Sequence, residues 1–381
     1  MKGKIKMENK TLERVFLDVH VIQAVPPANI NRDDTGSPKT AQFGGVIRAR
    51  VSSQCWKRAI RNYFKEYSIF NNFGMRTSEL VSYIASLIAK QDSNIKEDDA
   101  LKLAEETIKK AGISTTGRKS NPNHKITKAP FFISHKEAEA FAAACVAKET
   151  DKKKLQNILN DELSIDIALF GRMLADDPSL NVDAAAQVAH AISTHAIEDE
   201  FDFYTAVDEA LPEGQMGASM MDTVEYNSST LYRYANIGIH NLYSQLHDKK
   251  DVIDSAKLFV DAFIKSMPTG KINSFAHQTL PQAIIVSLRD DRPVNMITAF
   301  EKPIKSENGY TAPSIVKLFN EYSKYDKILD KPLFTEYLLL DELNVGEIGG
   351  NAAHNLNDLV NDLGAAISSN LKDQREELHE N

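Results

Sequence analysis

Seven cations gather in one stretch of the chain: Arg32, Lys39, Arg48, Arg50, Lys57, Arg58 and Arg61. Ser52, Ser53 and Gln54 stand among them with hydroxyl and amide donors. Arg and Lys make charge-assisted contacts to phosphate oxygens, and a helix N-terminus adds unpaired backbone N–H groups. Such contacts carry no base information, so this surface would hold a nucleic-acid backbone of any sequence. Plain solvation of clustered Lys and Arg is the competing reading, and charge alone slightly favours it. Met173 and the pair Phe203-Tyr204 adjoin segments of flexible composition, where apolar side chains stack on bases or wedge between them. Taken alone, core packing is the simpler reading for all three.

Groups suited to bond chemistry are scattered. His190 and His195 are five apart, on different sides of any helix, and no HExxH occurs. Cys55 opens the basic helix, where cations lower a thiol pKa, but no base accompanies it in the sequence. Packing under Trp56 is the simpler role. Gly346, Gly349 and Gly350 match neither GxGxxG nor a P-loop, and Asp33-Asp34 reads as a surface pair. No catalytic centre, metal site or cofactor is expected.

The elements that must position the cations follow from periodicity. Residues 15–25 alternate, are rich in β-branched and aromatic types, and end at Pro26-Pro27, which predicts a strand. Residues 26–47 read as a loop. Ser52 or Ser53 caps a helix to about Tyr67, with Trp56, Ala59, Ile60, Tyr63 and Phe64 on one face and Lys57, Arg61 and Lys65 four apart on another. Residues 72–160 read as an insertion lobe with helices at 79–90, 97–111 and 136–160 and a polar loop at 114–128. Strands are predicted at 164–170, 229–239 and 282–288, helices at 182–197 and 251–267, and a mobile hairpin or loop at 211–227. The charged tail from 371 should fray. Without the insertions the order is βαββαβ, that of an RNA-recognition-type fold.

Composition sets the bounds. The chain has 381 residues, 45 Lys+Arg and 53 Asp+Glu, for a net charge of −8. With 42% apolar residues it can bury a large core, which excludes wholesale disorder. Residues 1–70 nevertheless carry a net +7, leaving −15 for the rest. A basic sector on an acidic body binds a polyanion locally. Two cysteines exclude a disulfide framework and suit a reducing cytoplasm. No apolar stretch is long enough to span a bilayer and no apolar core follows the basic start, so no membrane association or secretion is expected.

The blocks Asn31-Arg32-Asp33-Asp34, Phe43-Gly44-Gly45 and Arg50-Val51-Ser52-Ser53-Gln54 with Lys57-Arg58-Ala59 resemble the CasC family, the RAMP-type backbone subunit of the type I-E CRISPR Cascade complex. Further matching blocks are Asp166–Leu169 with Gly171-Arg172-Met173, Ala189–Ile192 with Thr194-His195, Thr205–Asp208, Tyr232–Ile237 and Ala299–Lys302. They run to about residue 318. The match is poor in detail over 72–160 and beyond 320.

The resemblance implies an α+β fold: a ferredoxin-like (RRM-like) palm, a large helical fingers insertion and a thumb hairpin. The implied division is palm at 11–71, fingers at 72–162, a palm strand and linking helix at 163–200, thumb at 201–228, and palm with a C-terminal extension at 229–381. Copies would polymerise head to tail along the spacer of a CRISPR RNA with other Cascade subunits, presenting bases to target DNA and performing no catalysis. Arg32, Lys39, Arg50, Ser52, Gln54, Lys57, Arg58 and Arg61 would grip RNA phosphates. Met173 would pack near the RNA kink. Phe203, Tyr204 and Thr205 would wedge beside a displaced base, with Phe-Tyr where Trp-Phe is the family pattern. Glu79 replaces a His of that pattern, so no RNA contact is expected there. The alternative is a RAMP-type endoribonuclease processing CRISPR RNA; fold cannot decide between them. Such an enzyme commonly needs a His, and His20 is the only one in the first 70 residues, on a strand where a structural role is expected.

Overall fold

The computed structural model describes residues 14–67, 70–161, 163–207 and 218–371. The chain is mixed α+β and divides into two compact units, one of residues 1–66, 188–240 and 256–381, the other of 67–187 and 241–255.

The first unit is built on one sheet. Its order is Asn351–Ala352, Phe334–Leu339, Ala283–Arg289, Phe16–Ala28, Ala218–Gly238, Ala191–Ser193, Val46–Val51, Thr40–Phe43. Phe16–Ala28 is central and antiparallel to both neighbours, which explains why its two faces are both buried. Arg233 pairs with Val21 and carries the contacts of one face. Its guanidinium carbon lies 3.6 Å from the Trp56 ring centroid and 4.5 Å from that of Phe263. It donates to Gln23 Oε1 and to the Phe263 carbonyl. One cation thus ties helices Ser53–Tyr67 and Lys249–Lys265 to the sheet. Burial lowers its pKa to about 9, so it stays charged at neutral pH.

The other face packs Ile22, Tyr232, Tyr234 and Ile285 on Ile315, Leu318, Phe319 and Tyr322 of helix Thr311–Lys324. Within it lies a buried polar chain. Tyr234 Oη donates to Asp18 Oδ1 at 2.6 Å and Val294 N to Asp18 Oδ2 at 3.1 Å. His20 Nδ1 is 2.9 Å from Tyr232 Oη. Burial pushes Asp18 up to about 7; burial, then Arg289, pushes His20 down to about 3.

These two groups oppose each other in stability. Between about pH 4 and 7 folded Asp18 keeps a proton that the unfolded chain gives up, so its contribution falls as pH rises. Between about pH 3 and 6.5 the unfolded chain protonates His20 and the folded ring does not, so its contribution rises. Each slope is at most about 1.4 kcal/mol per pH unit. Denaturant unfolding of His20→Gln should therefore lose stability relative to wild type as pH rises from 4 to 6.5. Parallel profiles for the two proteins would contradict the pairing.

In the second unit, helices Leu80–Gln91, Glu97–Lys110, His135–Val146 and Lys152–Ile158 enclose Ile84, Ile88, Ala104, Ile108, Phe131, Phe141 and Leu155. Ser134 and Glu137 form a reciprocal capping box, and Arg172 Nη1 meets Glu137 Oε1 at 3.0 Å with both side chains buried.

Several expectations are corrected. Residues 164–170 contain helix Ile165–Phe170 where a strand was expected, since a short apolar run has no period to distinguish them. Residues 182–197 form no helix; strands Ala186–Val188 and Ala191–Ser193 stand there, because pairing with Val46–Val51 and Ala218–Gly238 overrides an Ala-rich composition. The loop at 114–128 is a hairpin, Thr115–Arg118 with Asn121–Thr127. The helix at 136–160 breaks between Val146 and Lys152, where Lys148 has φ 56°. Pro26-Pro27 does not end the first strand, because a register shift between Val25 and Ala28 takes the prolines out of the ladder. Residues 26–47 hold strand Thr40–Phe43 and the start of Val46–Val51. The tail from 372 lies outside the described residues.

Candidate nucleic-acid interface

The cations of the first unit are arranged by backbone pairing around Asn31. Asn31 Oδ1 accepts from Ser52 N at 2.8 Å, its carbonyl accepts from Lys39 N at 2.8 Å, and the Lys39 carbonyl accepts from Arg50 N at 2.8 Å. Arg32 bridges to Pro38. The intervening turn is closed by Asp33, whose Oδ1 accepts from Thr35 N at 2.9 Å and Ser37 N at 3.1 Å. Ser52 Oγ accepts from Cys55 N at 3.3 Å and caps helix Ser53–Tyr67, which buries Trp56, Ala59, Ile60 and Phe64. The opposite face is left to its cations.

Arg32, Gln54 and Arg58 are exposed, and Lys39, Arg50, Lys57 and Arg61 half-buried. The side chains of Arg32, Lys39 and Arg58 make no hydrogen bond or ion pair with a described residue. Cys55 shows that these groups converge. Burial raises its thiol pKa while Arg58 and Lys39 pull it down, so the thiol is protonated at neutral pH and is no nucleophile. Ser52 is buried, and its hydroxyl serves the helix cap.

Sequence reasoning missed His190. Arg50 Nε donates to the Thr40 carbonyl at 2.9 Å, and Arg50 Nη1 lies 3.3 Å from His190 Nδ1. His190 is exposed; desolvation, then Arg50 and Lys39, lowers its pKa, so a neutral ring sits beside the cations. Assigning 182–197 to a helix hid this neighbour.

Arg48 does not join the interface. It is fully buried and donates to the carbonyls of Phe43 at 3.1 Å, Ser193 at 2.9 Å, Phe300 at 2.8 Å and Glu301 at 3.3 Å. Gly44 makes this possible: its φ is 61°, and a Cβ there would lie 1.6 Å from the Glu301 carbonyl oxygen.

A second candidate surface is the hairpin of Glu200–Val207 and Ala218–Gly238. The register pairs Phe203 with Thr223 and Thr205 with Met221. Strand alternation therefore sets Phe201, Phe203, Thr205 and Met221 on one face. Phe201, Phe203 and Met221 are 67%, 64% and 64% exposed. Tyr204 lies on the other face, its hydroxyl donating to Asp222 Oδ2 at 3.2 Å. Phe203 and Tyr204 thus lie on opposite faces of the strand; Phe201 and Met221, which the sequence reading did not single out, share the face of Phe203. Met173 is 87% exposed and belongs to the second unit. Glu79, also there, binds Arg118 and His124.

Among the described residues no group of three His, Cys, Asp or Glu could hold a metal ion, and no helix is long and apolar enough to cross a membrane. His20, the histidine an endoribonuclease reading would use, has no exposed surface.

Two solved structures share this fold. A chain described as "CRISPR RNA-guided surveillance complex, pre-nicking" is 30% identical, with a TM-score of 0.84 over 92% of this chain and 100% of that one. A chain described as "CRISPR RNA-guided surveillance complex" is 28% identical, with a TM-score of 0.61 over 92% and 99%. Among curated proteins none is significantly similar. The model of the CT1975-like proteins matches residues 17–362, and the chain belongs to that family.

Proposed function

We propose that the chain is the CasC-type, non-catalytic backbone subunit of a type I-E Cascade complex. It binds CRISPR RNA along the phosphates, polymerises head to tail with other copies, joins other Cascade subunits and leaves the RNA bases available to target DNA. The observation that carries this reading is the near full-length similarity to a chain of an RNA-guided surveillance complex, in a protein whose exposed cations surround a helix N-terminus. Cations on flexible side chains suit a backbone of any sequence, and the acidic remainder of the chain discourages binding elsewhere.

The palm is read as ferredoxin-like. Support comes from the strand order Ala283–Arg289, Phe16–Ala28, Ala218–Gly238, Ala191–Ser193, with helices Ser53–Tyr67 and Lys249–Lys265 as the two crossovers. The hairpin face of Phe201, Phe203 and Met221 would wedge beside a base, and exposed apolar groups of this kind gain about 1–3 kcal/mol per stacked base.

Labelled repeat RNA incubated with the purified protein should bind and stay intact. Specific cleavage would overturn the non-catalytic reading and favour an endoribonuclease, whose catalytic groups would have to lie elsewhere than His20.

A further inference from the structure

Helix Leu356–Asn370 packs on strands Phe334–Leu339 and Ala283–Arg289 of the first unit. Leu359, Leu363 and Ile367, four apart, supply its buried stripe. Asp358 and Asp362, also four apart, run beside that stripe. Asn355 caps the helix: its Oδ1 accepts from Asp358 N at 3.0 Å, and its Nδ2 donates to Asp358 Oδ2 at 2.8 Å. Asp358 is thereby occupied by the cap, at a helix end whose dipole favours an anion.

An acid lies beneath this helix. Glu336 pairs with Val286 on one side and Asn351 on the other, and alternation sets its side chain on the face of Phe334 and Leu338. It is 6% exposed, and its buried Oε2 accepts no hydrogen bond from a described residue. The group within hydrogen-bonding reach of Glu336 is the Asp362 carboxyl. Asp358 adds a second negative charge, and among the described residues no cation offsets the two. Lys257 of helix Lys249–Lys265 reaches the same helix, but its ammonium donates to Asn361 Oδ1 at 3.0 Å. The acids do not converge as metal ligands either. Two carboxylates cannot hydrogen-bond to each other, and a buried one is costly; a single shared proton removes the repulsion and supplies the bond. Burial, then Asp362 and Asp358, accordingly push Glu336 up to about 7.

We propose that Glu336 and Asp362 form a proton latch: the protonated pair fastens helix Leu356–Asn370 to the sheet, and loss of the proton loosens that helix ahead of the rest of the protein. Docked Glu336 keeps its proton to higher pH than a solvated glutamate, so docking is strongest in acid and weakens as pH rises through about 7. The opening equilibrium of the helix should rise about tenfold between pH 6 and pH 8. The latch needs no RNA and stands apart from the RNA-binding reading above.

Hydrogen exchange of the full chain, read by mass spectrometry and corrected for the intrinsic pH dependence of amide exchange, tests this. In the wild type, protection of peptides within 356–370 should fall about tenfold from pH 6 to pH 8. Glu336→Gln offers an amide donor to the Asp362 carboxylate and does not titrate, so its protection should be equal at both pH values and exceed that of the wild type at pH 8. Asp362→Asn, at an exposed position, should also raise protection at pH 8, and it serves as the second variant should Glu336→Gln pack poorly. Asp18 titrates in the same range but is untouched by either substitution, so helix Thr311–Lys324 on the opposite face should respond to pH alike in all three proteins. Equal wild-type protection of 356–370 at pH 6 and pH 8, or a loss that persists undiminished in both variants, would overturn the latch. Millimolar Mg²⁺ restoring protection at pH 8 would also overturn it, because a cation would then be holding the carboxylates.

Discussion

Lys39→Glu combined with Arg58→Glu should lower affinity for single-stranded RNA by on the order of 10²–10³-fold at moderate salt, with thermal stability unchanged. The two side chains lie on different elements, yet both act on the same Cys55 thiol, so they belong to one patch. Neither has a partner among the described residues, so reversing them breaks nothing inside the fold. On the proposed reading each reversal would remove one phosphate contact and add one repulsion. The slope of log K against log salt should fall by about 1.4, two contacts at about 0.7 each. Wild-type affinity in this variant would mean that RNA binds elsewhere; a lost melting transition would mean that the two cations support the fold.

Arg48→Ala should do the reverse. Four carbonyl oxygens lose their donor, and the guanidinium leaves a void between strand Val46–Val51 and the Phe300-Glu301 turn. Stranded buried acceptors and a cavity together cost about 3–5 kcal/mol. Arg48→Lys should recover little, since one ammonium cannot reach four carbonyls fanned around a planar group. Denaturant unfolding checks this, and the folded fraction should keep the wild-type salt slope. An Arg48→Ala protein that is as stable as wild type but binds RNA weakly would return Arg48 to the interface.

The contrast between Lys39 and Arg48 shows what was legible in the sequence. The basic helix was readable because its apolar and cationic residues recur every three or four positions, and the structure buries Trp56, Ala59, Ile60 and Phe64 as that spacing requires. Arg48 was not. On an alternating strand the arginine face of Val46–Val51 reads as outward and the Ile47 face as inward, yet Ile47 is 49% exposed and Arg48 is buried. Ala49 and Val51 on the Ile47 face are buried as alternation requires; what also buries Arg48 is a set of carbonyls from residues far along the chain, which no local period encodes. The same holds for Ala191–Ser193, whose strand exists because Arg50 and Leu231 pair with it from either side. On the hairpin the aromatic pair was visible, but its split between two faces needed the strand Glu200–Val207, and the place of Met221 on the Phe203 face needed the register.

The sequence blocks that carried the family resemblance divide along the same line. Phe43-Gly44 and Phe300-Glu301 meet at Arg48. Thr194 is bonded by Ser314 at 2.8 Å, and His195 stacks on Tyr310 at 3.7 Å. These are structural residues that hold Val46–Val51 in place. Arg32, Gln54 and Arg58 face solvent and are available to a ligand.

Photo-crosslinking of bound RNA, followed by mass spectrometry of the adducted peptides, tests most directly whether the cationic loop and helix hold the nucleic acid. Adducts should concentrate in peptides spanning residues 32–61, with a second group at Phe201–Met221, and the first group should fade as salt rises. RNA adducts confined to the second unit, or absent from 32–61 in a protein that retains RNA, would contradict it.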